Sequence, residues 1–165
     1  MTAAAREVLE DCRGAIDGLV DGIQGRDWRR QWILSIVLLR AIGHVLDKVD
    51  GSRSSAARAA IDKWWAGVKQ ARPSIFWDFI EEERNSVLKQ YQSNAGQGVT
   101  VRLSGMQMGA NGAPSKVDPP MPAIYHYVLN DGPFKGRDHR DVLRKALAWW
   151  EQQLATVDEA IQGSA

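Results

Sequence analysis

"WRRQWILSIVLLRAIGHVLDKV", residues 28–49, is apolar around most of a helical circumference. A helix of that kind belongs in the middle of a bundle, where neighbours cover it from several sides. Its strongest apolar run, Trp32–Leu39, is too short to span a bilayer and ends at Arg40. Trp28–Val49 is therefore the expected central buried helix, and the rest of the chain has to cover it.

Upstream, Val8, Leu9, Cys12, Ala15, Ile16, Leu19, Val20 and Ile23 recur at three- and four-residue spacing, which predicts an amphipathic helix over residues 5–23. Gly14, Gly18 and Gly22 fall on a neighbouring face and would let another helix come close. Gly25 reads as the stop and Asp27 as the cap of the central helix. Downstream, "DGSRSS" (50–55) breaks the pattern. Ser54 or Ser55 is the expected cap of a third helix, about 56–70, with Ala59, Ala60, Trp64 and Val68 on one side. Pro73 disfavours helix at Arg72, and Ser74 is placed to cap a fourth helix that runs to about Gln92. A last helix starts near Asp138 and carries Val142, Leu143, Ala146, Leu147, Trp150, Leu154, Val157 and Ile161.

Between these helices the texture changes: residues 93–122 hold five glycines and four prolines. "VTVRL" (99–103) and "AIYHYVL" (123–129) read as two strands that pair antiparallel across a long loop containing "GMQMGANGAPSK". "GQG" (96–98) precedes a strand, so it reads as a turn and not as a phosphate loop. The expected fold is mainly α: a single domain, residues 1–165, made of an antiparallel bundle of about five helices. A small β-hairpin and a Gly/Pro-rich loop, residues 93–136, are inserted before the last helix.

Composition sets limits on function. At 165 residues the chain suits one domain able to bury roughly 70% of its unfolded surface. Twenty-one Lys and Arg against 20 Asp and Glu leave a net charge of +1, so no whole-molecule field draws in nucleic acid or anionic membrane. Any nucleic-acid binding has to come from a local site. Cys12 is the only cysteine, which rules out an intramolecular disulfide and a CxxC zinc site. His44, His126 and His139 are far apart without metal-ligand spacing, so no metal and no cofactor is expected. With no apolar leader in "MTAAAREVLEDCRG", the expectation is a cytoplasmic protein without membrane association. Seven tryptophans include two adjacent pairs, Trp64-Trp65 and Trp149-Trp150. Neighbours on a helix point about 100° apart, so one of each pair is a candidate for a partner interface.

The candidate chemistry sits in "FIEEERNSVLKQY" (79–91) and on the central helix. A wheel built on Phe76, Ile80, Val87, Leu88 and Tyr91 places Arg84 in the middle of the apolar face. On the central helix, Arg40, His44 and Asp47 follow one another at successive turns beside Ile33, Ile36 and Val37. A buried guanidinium needs a partner, and Asp47, Asp78, Glu81 and Glu83 are the available carboxylates. Two readings follow. Either these pairs only fix the packing of helices two and four, or the arginines face a phosphate, which a guanidinium grips with two N–H groups at once. In the second case His44 supplies a proton-transfer group near neutral pH.

Arg84-Asn85, with four residues between Arg84 and Lys89 and one between Lys89 and Tyr91, resembles the motif of the HEPN superfamily of helical-bundle proteins found among prokaryotic toxins and defence systems. There an Arg, often followed by Asn, precedes a His, and in one subset a Tyr follows two residues after that His. Arg84, Asn85 and Tyr91 match, while Lys89 stands where the family has His. The resemblance implies metal-independent RNA cleavage at a dimer interface. Arg84, Asn85, Tyr91 and His44 would then be catalytic, Arg40 and Lys89 would bind substrate, and His44 would take the part of the missing imidazole. A protonated Lys89 stabilises charge or acts as an acid but does not replace a base near neutral pH. The alternative is a non-catalytic bundle that binds a protein partner through its tryptophans.

Overall fold

The computed structural model describes residues 1–100 and 124–163. These residues form five α-helices: α1 (Ala3–Asp17), α2 (Gly25–Lys48), α3 (Ser55–Ala71), α4 (Glu82–Gln90) and α5 (His139–Gln162). A 3-10 turn, Asp50–Ser52, links α2 to α3, and a π-helical segment, Ile75–Glu81, leads directly into α4. Strands β1 (Ala95–Thr100) and β2 (Ile124–Leu129) pair antiparallel, with Ala95 opposite Leu129 and Thr100 opposite Ile124. The architecture is the mainly α bundle with a β-hairpin that the sequence pattern predicts. Residues 101–123, with the end of the predicted first strand and the "GMQMGANGAPSK" loop, lie outside the described residues.

α2 is the central helix. Trp32, Ile36, Leu39, Ile42 and Leu46 are fully buried along its length. α1 runs antiparallel beside it, as the cross-links show in order: Ala5 N to Asp50, Cys12 Sγ to Ser35 O, and Gln31 Nε2 to Ala15 O. α5 packs antiparallel on α1, with Arg6 bonded to Asp158 at one end and Arg140 to Asp21 at the other. Leu143, Trp150, Leu154 and Val157 of α5 are fully buried. Gly43 of α2 is where α5 comes closest. A Cβ there would stand 2.9 Å from the Trp150 indole, so the missing side chain makes room for the ring.

Several local expectations are corrected. α1 stops at Asp17, not at residue 23, and Gly18–Gln24 form the turn into α2. Gly25 starts α2 at φ +58° instead of ending α1, and Asp27 sits in the first helical turn, not at the cap. Of the three spaced glycines only Gly18 meets a packed neighbour, the Gln31 side chain; nothing approaches Gly14 or Gly22. Ser54 caps α3 through a bond from Ala57 N, whereas the Ser74 side chain caps nothing. "GQG" lies inside β1, not in a turn. There the Asn130 side chain packs against Gly96 in the space a Cβ would fill, so this glycine marks a close approach.

The hairpin is tied to the bundle on both sides. Glu83 accepts from Asn94 N (3.1 Å) and Ser93 Oγ (3.0 Å) at the entry to β1. His139 Nδ1 bonds Tyr127 O (2.9 Å), joining the start of α5 to β2. No helix among the described residues is long and apolar enough to cross a membrane.

Candidate functional site

α4 runs antiparallel to α2, so the end of one faces the start of the other. Tyr91 lies under the Arg29 guanidinium at 5.8 Å, Trp32 Nε1 donates to Glu83 (2.9 Å), and Arg40 Nε donates to Glu81 (3.0 Å). The expected burial of Arg84 at the centre of the packing face is corrected. Glu83 occupies that centre at 2% exposure, and Arg84 is half-buried at the edge. The cause lies in two residues: Leu88 (54% exposed) and Tyr91 (69% exposed) face solvent despite their apolar character. Counting them as core turns the wheel toward Arg84. The buried residues of this stretch, Phe76, Phe79, Ile80 and Val87, instead centre on Glu83.

The carboxylates are allotted accordingly. Glu81 pairs with Arg40, each side chain about one-fifth exposed, and the Arg40 guanidinium also lies over the Phe76 ring at 5.7 Å. Asp47 pairs with Arg58 Nη2 (2.8 Å) and Lys48 Nζ (2.9 Å). Hydrogen bonding to Lys48, helped by Arg58, holds its pKa below the usual carboxylate value against the opposing effect of burial. Glu83 bonds no arginine; it serves the Trp32 indole and the start of β1.

Arg84 is left over. Its Nη1 donates to Asn85 Oδ1 (2.9 Å), and it makes no ion pair among the described residues. His44, exposed and one turn beyond Arg40, has its pKa pushed down by burial first, then by the charges of Arg40 and Arg84; Glu81 and Asp47 oppose this. The imidazole is therefore neutral at pH 7 and sits within electrostatic reach of two guanidiniums. Arg40 and His44 thus lie one turn apart on α2, and Arg84, bonded to Asn85 on α4, is within electrostatic reach of His44. Tyr91 does not join them: it caps α4 in the left-handed conformation (φ +55°) against Arg29, at the far end of the seam. Lys89 is exposed in the last turn of α4.

Next to this group opens a cleft of about 340 Å³ between α2, α3 and α5. Arg40, His44 and Asp47 line it from α2, and Arg58, Asp62, Trp64 and Trp65 from α3. Phe76 and Trp150 also line it and are nearly or fully buried. Sequence reasoning singled out Trp64-Trp65 as an interface candidate but missed Arg58 and Asp62 of α3. Their signal was present: Arg58 and Asp62 are four apart on one helix, the spacing of a surface ion pair, and Trp64-Trp65 follow at once. A second, apolar groove of about 540 Å³ runs between α3 and α5, with Ala60, Trp64, Val68 and Trp149 along it. Of the two tryptophan pairs, Trp64 and Trp65 are both half-buried, Trp149 is half-buried and Trp150 is core.

Among the described residues, no group of three or more His, Cys, Asp or Glu is placed to hold a metal. Cys12 is buried beside Ser35, and burial raises its thiol pKa to about 12, which keeps it protonated and unreactive. Comparison with protein-family models, with curated proteins and with solved structures finds no match for this chain.

Proposed function

We propose that this chain is a HEPN-like RNA-binding protein of a prokaryotic defence or toxin–antitoxin setting, acting in the cytoplasm, with its RNA site at the His44 end of the α2–α4 seam. One observation carries the reading: Arg84 has a guanidinium that no carboxylate among the described residues neutralises, held by Asn85 and close to a neutral His44. An arginine kept only for packing would pair with one of the nearby acids, as Arg40 does with Glu81. A phosphate completes Arg84 where the protein does not.

In this reading Arg84 and Arg40 hold the phosphate and its developing charge, and Asn85 orients Arg84. His44, neutral near pH 7, takes the proton of the 2′-hydroxyl that attacks the adjacent phosphorus; the P–O5′ bond breaks and the leaving 5′-oxygen takes a proton from water. Lys89 and Tyr91, away from this group, contact the RNA backbone further along, and a dimer would bring a second copy of the site alongside.

The test is incubation with tRNA and single-stranded RNA, without added metal, using the parent, Arg84→Ala and His44→Ala. Circular dichroism checks that each is folded. Arg84→Ala is expected to weaken the gel shift by about tenfold or more, the order set by losing a charged contact. His44→Ala should keep the shift and lose cleavage. RNA left unbound by the folded parent overturns the reading. In that case the apolar groove between α3 and α5 favours the other class, a protein-interaction module, and sedimentation would show whether the chain self-associates.

A further inference from the structure

We infer that the cleft between α2, α3 and α5 is a pocket for one unstacked purine ring, an assignment that names the recognition element of the RNA reading above and rests on it. Its volume of about 340 Å³ falls within the range of small-molecule sites, roughly 300–1,000 Å³. Four aromatic rings form a closed circuit in its lining. Trp64 to Trp65 is 5.8 Å between centroids, Trp65 to Phe76 is 5.6 Å, and Trp150 stands 6.0 Å from both Phe76 and Trp64.

Those separations decide what kind of ligand fits. Rings whose centroids are about 4.5–7 Å apart touch one another, so the four make a wall, without the open interior of a cage for a quaternary ammonium. The guanidiniums of Arg40 and Arg58 share the lining with the carboxylates of Asp47 and Asp62, and each is ion-paired, Arg40 with Glu81 and Arg58 with Asp47 and Asp62. An aromatic wall beside fixed guanidiniums suits a planar ring that is neutral or attached to an anion. A purine stacks on an indole face, and its ring nitrogens and carbonyl accept hydrogen bonds from arginine.

Arg58 Nε and Trp150 Nε1 are buried and have no hydrogen-bond partner among the described residues. The remaining nitrogens of Arg58 are held by Asp47 O (3.0 Å), Asp47 Oδ1 (2.8 Å) and Asp62 Oδ1 (2.7 Å), which sets the plane of the guanidinium before any ligand arrives. Arg40 and His44, two residues of the proposed phosphate site, also line the cleft, so pocket and phosphate site share them.

Isothermal titration calorimetry with AMP and GMP, with ribose 5-phosphate as control, tests this on the full chain, alongside an RNA gel shift. Saturable binding of a purine nucleotide is expected. Arg58→Lys, which keeps the charge but removes Nε, and Trp65→Leu, which removes part of the wall, should each weaken it by about tenfold, the scale of one stacking or bidentate contact. The pocket is overturned if neither nucleotide binds saturably, if ribose 5-phosphate binds as well as they do, or if both folded variants bind like the parent. An RNA shift without nucleotide binding removes the pocket and leaves the RNA site at Arg84. Nucleotide binding without an RNA shift removes the RNA reading and keeps the pocket as a nucleotide site.

Discussion

Removing the Glu83 carboxylate takes the acceptor from the indole N–H of fully buried Trp32 and from the Asn94 backbone N–H, with Ser93 Oγ as a third donor. Each buried donor left unpaired costs about 1–3 kcal/mol, so Glu83→Ala should lower stability by about 2–4 kcal/mol in urea unfolding. Glu82→Ala, one residue away and exposed, should change it by less than about 0.5 kcal/mol. Equal losses at the two positions would mean that burial of Glu83 does not govern this helix. The same residue shows how far single positions were legible. Sequence pattern located the polar network between helices two and four but chose Arg84 as its buried member, because hydropathy counts Leu88 and Tyr91 as core. A carboxylate whose partners are an indole and a backbone N–H eleven residues later leaves no periodic mark. Arg40 with Glu81, by contrast, follows from charge and helix register, and Glu81 was among its expected partners.

At the scale of elements, α1 depends on carboxylates that it does not itself carry. Its first turn has no acidic residue and Thr2 makes no side-chain cap, yet Ala4 N and Ala5 N donate to Asp50 (3.2 and 2.9 Å). Asp158 receives Thr2 N (2.6 Å), Thr2 Oγ1 (3.0 Å) and Arg6. Asp50, 1% exposed, thus caps α1 from the turn that follows α2, and favours its positive N-terminal end. Asp50→Ala should cost about 1–3 kcal/mol, the sum of a lost cap and stranded N–H groups. Hydrogen exchange should speed up in peptides from the start of α1 and stay slow in the centre of α5; uniform acceleration would argue against a local cap. Helices were the legible elements, since three- and four-residue spacing follows directly from burying one face. Their ends were less so. α1 ends at Asp17 although Leu19 is buried, since the turn, not a helix, places that residue against the core. Gly96 of β1 read as part of a turn because its reason, contact with Asn130, is tertiary.

For the whole molecule, the sharpest expectation concerns pH, and it comes from His139. This residue is 4% exposed at the junction of α5, β2 and α2, between the rings of Trp28, Trp32 and Tyr127, and its Nε2 has no partner among the described residues. Burial pushes its pKa below the ordinary 6.5; Asp138 and the Tyr127 carbonyl oppose this, while Arg140 and Arg144 add to it. The sign follows from linkage. The unfolded chain takes up a proton at about pH 6.5 and the folded chain resists until lower pH, so stability is full above 6.5 and falls as pH drops toward the depressed folded value. The slope for one such group reaches at most about 1.4 kcal/mol per pH unit. His44, whose pKa is also lowered, acts in the same direction, but its exposure makes its share smaller. The carboxylates with lowered pKa, Asp47 and Asp138, contribute stability that is lost only below about pH 3.8, so they do not operate in this window. Unfolding measured between pH 7.5 and 5, a range chosen around that value of 6.5, should therefore show a fall that His139→Phe flattens. The variant loses the bond to Tyr127 O and starts less stable at pH 7.5, so the slope and not the absolute value is the readout. A parent curve flat from 7.5 to 5 would show that His139 is solvated or protonated in the fold. An unchanged slope in the variant would move the pH dependence to His44, and with it the proton that the RNA site is proposed to use.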